Sequence, residues 1–369
     1  MFKPITIIVI VFACLYIAYI LFEHFYYNYL RKKIKKVIHV NGIRGKSTVT
    51  RLIDAGLREF DFKVVSKTTG TVPTFIDCNN KERIIKRLGP ANIREQLKMI
   101  RWAVKEGADY LVIECMAVNP ELQNISEHKI LKSDITVITN VRSDHLDVMG
   151  SSLDDIAKSL ANTVPVNGTL VLGEDNQKEI FESVARKCNS KVVIAKEYKG
   201  EELLDTFREN IAVSLEVCDV LGLDKDEFFR GMRKYIHDVG ALNLFERDGK
   251  KFINGFSIND PDSILKVYDL VEEKYSIIKK DISILLNERG DRFFRTNQHI
   301  DMLDNIEYKN VYICGDNLDY IEKRLKEKNI ECKKIKRVED IKDEDVIFGI
   351  GNIKGLGFKM IEYFKEGEK

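Results

Sequence analysis

Between residues 37 and 48 an apolar run, Val37-Ile38-His39-Val40, gives way to Asn41-Gly42-Ile43-Arg44-Gly45 and then to Lys46-Ser47-Thr48, where a helical pattern opens. No other stretch constrains the fold as strongly. A short strand, a glycine turn and a lysine at a helix start together form a cradle for a triphosphate. Gly42 and Gly45 let backbone N–H groups approach phosphate oxygens, and the helix N-terminus behind them adds positive potential. Lys46 is placed to reach the β- and γ-phosphates of a nucleoside triphosphate. Ser47 and Thr48 bring hydroxyls to the same turn, the first suited to Mg²⁺. The spacing is not that of the common P-loop, whose first glycine would fall on Val40; here it is G-x-x-G-K-S, a shorter turn.

Composition removes several alternatives. Lys and Arg number 59 against 58 Asp and Glu, a net charge of +1, so the chain lacks the field of a nucleic-acid binder and no nucleic-acid partner is expected. Cys14, Cys78, Cys115, Cys188, Cys218, Cys314 and Cys332 are scattered, without a C-x-x-C pair. Neither a disulfide framework nor a zinc site is indicated, and a reducing cytosolic setting fits.

Ile5 to Phe22 is uncharged and almost wholly apolar. As a helix it covers about 27 Å, against a hydrocarbon core of roughly 30 Å. Only Lys3 precedes it. Phe25, Tyr26, Tyr27 and Tyr29 follow, and then Arg31-Lys32-Lys33-Ile34-Lys35-Lys36. An aromatic belt followed by a cationic flank describes a single-pass anchor, residues 1–30, in a cell membrane, with the globular part on the cytoplasmic side. A cleaved signal peptide would instead carry its cations ahead of a shorter apolar region.

With 369 residues the chain has room for two domains with buried cores. Strands are predicted at Val37–Val40, Tyr110–Glu114, Ile135–Thr139, Thr169–Leu172 and Val192–Ala195, with helices at Ser47–Glu59, Asn92–Glu106 and Leu153–Asn162 between them. That alternation argues for an α/β fold with a parallel, doubly wound sheet. One helical stretch is read from Thr206 to Tyr235. Further strands follow at Ile282–Leu286, Val311–Cys314 and Val346–Ile350. The boundary is placed so that 31–245 forms the nucleotide domain and 246–369 a smaller, Rossmann-like α/β domain.

Glu114 ends a predicted strand, where a carboxylate faces the ligand crevice of a parallel sheet and can hold Mg²⁺ beside Ser47. Asp144, His145 and Asp147 leave the next strand, expected beside that of Glu114, in one turn. Such a group can hold a divalent ion or orient a carboxylate substrate. In Asn287-Glu288-Arg289-Gly290-Asp291-Arg292, Arg289 or Arg292 can clamp a transferring phosphoryl group. Gly349-Ile350-Gly351-Asn352-Ile353-Lys354-Gly355-Leu356-Gly357 has no βαβ unit or acidic residue after it, so it reads as a tight loop between the domains and not a dinucleotide fingerprint.

Together the segments 41–53, 67–71 (Lys67-Thr68-Thr69-Gly70-Thr71), 114–120, 144–150, 254–256 and 349–355 resemble the Mur-ligase superfamily of ATP-dependent amide ligases. Within it, they resemble the ligase subunits of poly-γ-glutamate synthases (PgsB/CapB). The resemblance implies ATP and Mg²⁺ as cofactors, with Gly42, Gly45, Lys46, Ser47 and Thr48 around the phosphates and Lys46, His145 and Arg292 catalytic. It implies Glu114 and His145 at the metal, Asn210 on the adenine side, and Asp291 and Arg292 as the C-terminal domain's contribution to a closed site. The implied substrates are glutamate and a poly-γ-glutamate chain, the implied partners further membrane subunits, and the implied step an acyl phosphate attacked by an amine. Two other readings are a folylpolyglutamate-type ligase and a nucleotide-binding assembly subunit of a membrane complex. Three departures stand out. The place where many Mur ligases carry a carbamylated lysine falls on Leu160, with Lys158 two residues away, which argues against a carbamate bridge. The cell-wall ligases' His-Asn-Pro appears as Asn259-Asp260-Pro261. An arginine that close relatives carry near Gly240 is missing from Gly240-Ala241-Leu242-Asn243.

Overall fold

A computed structural model describes residues 4–70, 73–87, 89–200, 206–237, 243–256, 258, 261–275 and 277–365. The chain divides into two compact units, Met1–His237 and Asp238–Lys369. The division precedes the 245/246 boundary read from the sequence because the strand Asn243–Arg247 pairs with Lys250–Asn254 and so belongs to the second unit.

The first unit holds an eight-stranded sheet of β1 (Lys36–Asn41), β2 (Val64–Thr68), β3 (Thr74–Ile76), β4 (Glu82–Ile84), β5 (Tyr110–Glu114), β6 (Ile135–Ile138), β7 (Thr169–Leu172) and β8 (Lys191–Ile194), in the order β4-β3-β2-β5-β1-β6-β7-β8. Strands β2, β5, β1, β6, β7 and β8 run parallel, and β3 and β4 add an antiparallel edge. Burial on both faces explains the unbroken apolar runs: Val37, Ile38, Val40, Leu111, Val112, Ile113 and Val137 are fully buried. The short strands β2, β3 and β4 escaped the sequence reading, since their charged and polar residues give no clean period. The Glu114 strand and the strand before Asp144 are not neighbours, because β1 lies between them.

Helix Lys46–Arg58 buries Val49, Leu52, Ile53 and Leu57 on one face. It packs closely on helix Lys225–Met232, where a Cβ at Gly56 would strike the Phe228 ring. The predicted helix from Thr206 to Tyr235 is two helices, Arg208–Leu221 and Lys225–Met232. Gly222 ends the first in the left-handed conformation (φ 69°), and Asp224 caps the second.

Thr6–Arg31 is long and apolar enough to cross a membrane, with mean hydropathy 2.4 and none of its most apolar stretch buried in the protein. Arg31 ties this helix to the domain, donating to Leu131 O at 2.7 Å and pairing with Asp134 at 2.6 Å. The basic cluster is thus partly a structural clasp.

Below the phosphate loop, His39 Nδ1 lies 2.8 Å from Glu127 Oε2, and Glu127 Oε1 accepts from Ser133 N and Oγ at 2.8 and 2.9 Å. Burial alone would lower the His39 pKa, but Cys115 and Glu127 hold it up at about 9. The folded value lies above the ordinary 6.5, so this stabilisation is complete below pH 6.5 and fades as pH rises through 9. Stability should fall by on the order of 1–3 kcal/mol across that window. Chemical denaturation of wild type and His39→Gln at both ends of the range tests it; an equal slope in the two proteins would refute the assignment.

The second unit carries β9 (Asn243–Arg247), β10 (Lys250–Asn254), β11 (Ile282–Glu288), β12 (Val311–Gly315), β13 (Lys333–Lys334) and β14 (Val346–Gly351), in the order β13-β12-β11-β14-β10-β9, parallel except for β9. The glycine-rich segment from Gly349 is the end of β14 followed by helix Leu356–Lys365, not merely a loop. Asn259-Asp260 and the segment around Gly240 lie outside the described residues.

Candidate nucleotide and active site

β1 ends between β5 and β6, and the chain turns through Gly42 (φ 124°) and Gly45 (φ 77°). Both values lie where a side chain is strained. A Cβ on Gly42 would collide with Thr139, and one on Gly45 with the Asn210 amide. Asn210, at the start of helix Arg208–Leu221, therefore lies against the loop itself. The end of β6 clamps the turn from the other side. Ile43 N donates to Asn140 O at 3.2 Å and Arg44 N to Asn140 Oδ1 at 3.0 Å, while Thr139 Oγ1 donates to Arg44 O at 2.6 Å. Gly45 has no side chain with which to cap the helix, so the first-turn N–H groups face the loop's concavity, the arrangement that suits an anion.

Lys46 Nζ donates to Gly42 O at 2.8 Å and to Ile43 O at 3.1 Å. Burial lowers its pKa, with the Glu114 carboxylate opposing the shift and Arg44 reinforcing it. Ser47 Oγ donates to Glu114 Oε2 at 2.8 Å, and Thr69 N donates to the same oxygen at 2.6 Å. Glu114, opposite Val40 in register, is 3% exposed, so it is not the surface acid that a strand-end carboxylate often is. Among the described residues no three His, Cys, Asp or Glu side chains group as a metal site. An oxygen pair at the loop's end nonetheless fits Mg²⁺, which takes one or two protein oxygens and completes its shell with phosphate and water. Thr48 sits half-buried in the same turn.

His145 arrives by the β6 side. It occupies the left-handed region (φ 53°) at the start of helix Leu146–Met149, its Nε2 3.8 Å from Asp144 Oδ2, and Asp144 pairs with Arg44 at 2.9 Å. The structure thus joins Gly42, Gly45, Lys46, Ser47, Glu114 and Asn210 directly, and links His145 to the loop through Asp144 and Arg44. Leu160 is fully buried and Lys158 is 65% exposed beside Asp155, so neither supplies a carbamate to this site. Thr139, Asn140 and Thr69 were missed. The signal for Asn140 was available in Thr139-Asn140, polar residues just past an apolar strand.

In the second unit Arg289 pairs with Asp291 through two bonds of 2.9 and 2.6 Å. Burial works against ionisation of Asp291, but Arg289 holds its pKa below the ordinary range. Arg289 is thereby committed. Arg292, exposed at the start of helix Phe293–Met302, makes no side-chain hydrogen bond or ion pair among the described residues, and is the arginine left available to a ligand.

Residues 40–228 match the Mur ligase middle domain, and residues 239–367 match the poly-gamma-glutamate synthase CapB C-terminal domain. The chain is 37% identical over 355 residues to PGA synthase CapB of Bacillus subtilis (strain 168), covering 89% of this chain and 90% of that one. It is 35% identical over 356 residues to the capsule biosynthesis protein CapB of Bacillus anthracis, covering 89% and 76%. Among solved structures, Escherichia coli FolC in complex with DHPP and ADP superposes with TM-score 0.73 at 14% identity, covering 92% of this chain and 91% of that one. The folylpolyglutamate synthase/dihydrofolate synthase of Yersinia pestis, complexed with AMPPNP and a Mn ion, gives 0.70 at 15% identity, covering 91% of each chain. These last two share the fold. The phosphate loop with its Ser47–Glu114 pair, both domain matches and the identity along most of the chain lead to one conclusion: this protein belongs to the CapB family of poly-γ-glutamate synthases, within the Mur ligases.

Proposed function

We propose that this chain is the ATP-dependent amide ligase of poly-γ-glutamate synthesis. It transfers the γ-phosphoryl group of ATP to a glutamate γ-carboxylate, and the amine of another glutamate displaces phosphate to form the amide. The identity to PGA synthase CapB over 89% of the chain carries this reading. The folylpolyglutamate alternative rests on fold likeness at 14–15% identity, which says nothing of substrate.

The residues divide the work. The N–H groups of the Gly42–Ser47 turn and the Lys46 ammonium receive the phosphates and offset the charge that builds as the phosphoryl group moves. Ser47 and Glu114 would hold Mg²⁺, which when bound draws charge from the phosphate oxygens. Thr69 N–H and Ser47 Oγ keep the Glu114 carboxylate aimed at that position. Asn210 fixes the loop from the helix behind it, and His145 is set by Asp144. Arg292 supplies a guanidinium free to meet phosphate bidentately, with Asp291 orienting Arg289 beside it. The helix Thr6–Arg31 anchors the enzyme in the membrane, its catalytic domains cytoplasmic, alongside further membrane subunits of the synthase.

The test uses the full chain in detergent or nanodiscs, with its partner subunits, given ATP, Mg²⁺ and glutamate. ADP release should require glutamate and accompany a polymer whose amide bonds are γ-linked. Glutamate-independent ADP release without polymer would reject the reading, as would a folate acceptor outperforming glutamate.

A further inference from the structure

Away from the phosphate loop, the first unit contains a cavity of about 900 Å³ between helix Glu95–Lys105 and the β3–β4 edge. Its floor includes Phe75, Met99 and Trp102, with the Phe75 and Trp102 rings edge to face at 4.8 Å. Two acids line it, and both are engaged. Glu95 takes two bonds from Arg87 at 2.6 and 3.0 Å, and the Glu106 carboxylate accepts from Cys78 N at 2.8 Å. Arg83 is paired with Asp77, and Arg94 with Glu23. Lys86, Lys98 and Lys105 are exposed and make no hydrogen bond or ion pair among the described residues. Lys98, Trp102 and Lys105 stand at i, i+4 and i+7, on one face of the helix. The cavity is therefore a concave, aromatic-floored site with uncompensated positive charge.

The same cavity is wired to the active centre. Lys67 is fully buried, its Nζ 3.2 Å from Glu95 and 3.3 Å from Met116 Sδ. Two residues after Lys67, Thr69 N holds Glu114. One wall of the cavity and the carboxylate beside Ser47 thus share a buried chain of contacts.

We propose that this cavity seats the growing γ-glutamyl chain, its carboxylates on Lys86, Lys98 and Lys105 and its methylenes over Trp102 and Phe75. The proposal rests on the poly-γ-glutamate reading above. Lys98 and Lys105 are separated by about 10 Å along the helix axis, so a chain of carboxylates spans both while a single glutamate does not. Concavity and continuity with Glu114 favour a polymer over an acidic lipid headgroup, although the Arg94–Glu23 pair places the anchor helix nearby.

Trp102 is the chain's one tryptophan and is 40% exposed, so its emission reports occupancy directly. Full-length protein in nanodiscs of neutral lipid, without ATP, is titrated with a γ-linked glutamate decamer, with free glutamate at matched carboxylate concentration, and with phosphatidylglycerol vesicles. The decamer should give a saturable, salt-sensitive change that free glutamate does not. Lys98→Gln/Lys105→Gln should raise its Kd at least about tenfold, Lys98→Arg/Lys105→Arg should keep it near wild type, and ATP binding should be unaltered in both. An unchanged Kd in the glutamine variant, or a response to the vesicles and none to the decamer, overturns the proposal. Because the titration contains no ATP, it reads the cavity even if the ligase assay yields no polymer.

Discussion

Replacing Lys46 with alanine should lower glutamate-dependent ADP release and polymer formation together by about a thousandfold or more. The expectation follows from where the ammonium sits. It is folded onto Gly42 O and Ile43 O, at the turn that leads into the uncapped first turn of helix Lys46–Arg58. No other lysine occupies the Gly42–Ser47 turn, and its one arginine, Arg44, is paired with Asp144. The charge building on the transferred phosphoryl group would therefore lose the loop's lysine ammonium, with no unpaired cation in the turn to replace it. Alanine is a good helix former, and Lys46 starts its helix on the ligand side, so the fold should survive. A thermal midpoint near wild type together with loss of rate separates catalysis from folding. Retention of more than a tenth of the rate would mean that Lys46 only staples the loop, and the assignment would fall.

The first sheet was legible because its central strands are buried on both faces, and a run such as Val37–Val40 or Tyr110–Glu114 can be little else. The edge was not. Strands β3 and β4 are three residues each, and Glu82-Arg83-Ile84 carries more charge than apolar surface. The break at Gly222 was hidden because apolar residues continue on both sides of it, and only the left-handed cap with Asp224 separates the helices. Candidate-site residues that the structure brings together were legible where chemistry and position coincide, as at Lys46, Ser47 and Glu114. They were hidden where the contribution is a backbone group. Nothing in the spelling of Thr69 announces that its N–H holds a carboxylate 45 residues on. Strand order was equally hidden. Glu114 and Asp144 reach the loop from opposite sides because β1 lies between β5 and β6, and sequence gives only succession.

Glu114→Gln removes one charge and almost no volume, so it isolates what that charge does. The amide oxygen can still accept from Ser47 Oγ or Thr69 N, which limits the structural cost. Two kinetic changes should follow. The Mg²⁺ concentration for half-maximal ADP release should rise about tenfold or more, with kcat falling roughly a hundredfold, because the site's anionic oxygen donor has become neutral. The second change comes through Lys46. Glu114 is the largest influence opposing the effect of burial on that ammonium, so neutralising it lets the Lys46 pKa fall further. If the protonated lysine is the active form, the alkaline limb of the rate profile must move to lower pH in Glu114→Gln than in wild type. Ser47→Ala provides the contrast: it removes the hydroxyl while leaving the carboxylate charged, so it should weaken Mg²⁺ dependence and leave the alkaline limb in place. The double variant should be less impaired than the product of the single effects, since the two side chains are in contact and serve one ion. A Glu114→Gln enzyme with unchanged Mg²⁺ dependence and an unmoved alkaline limb would show that Glu114 merely positions the loop, and the metal would have to be held elsewhere.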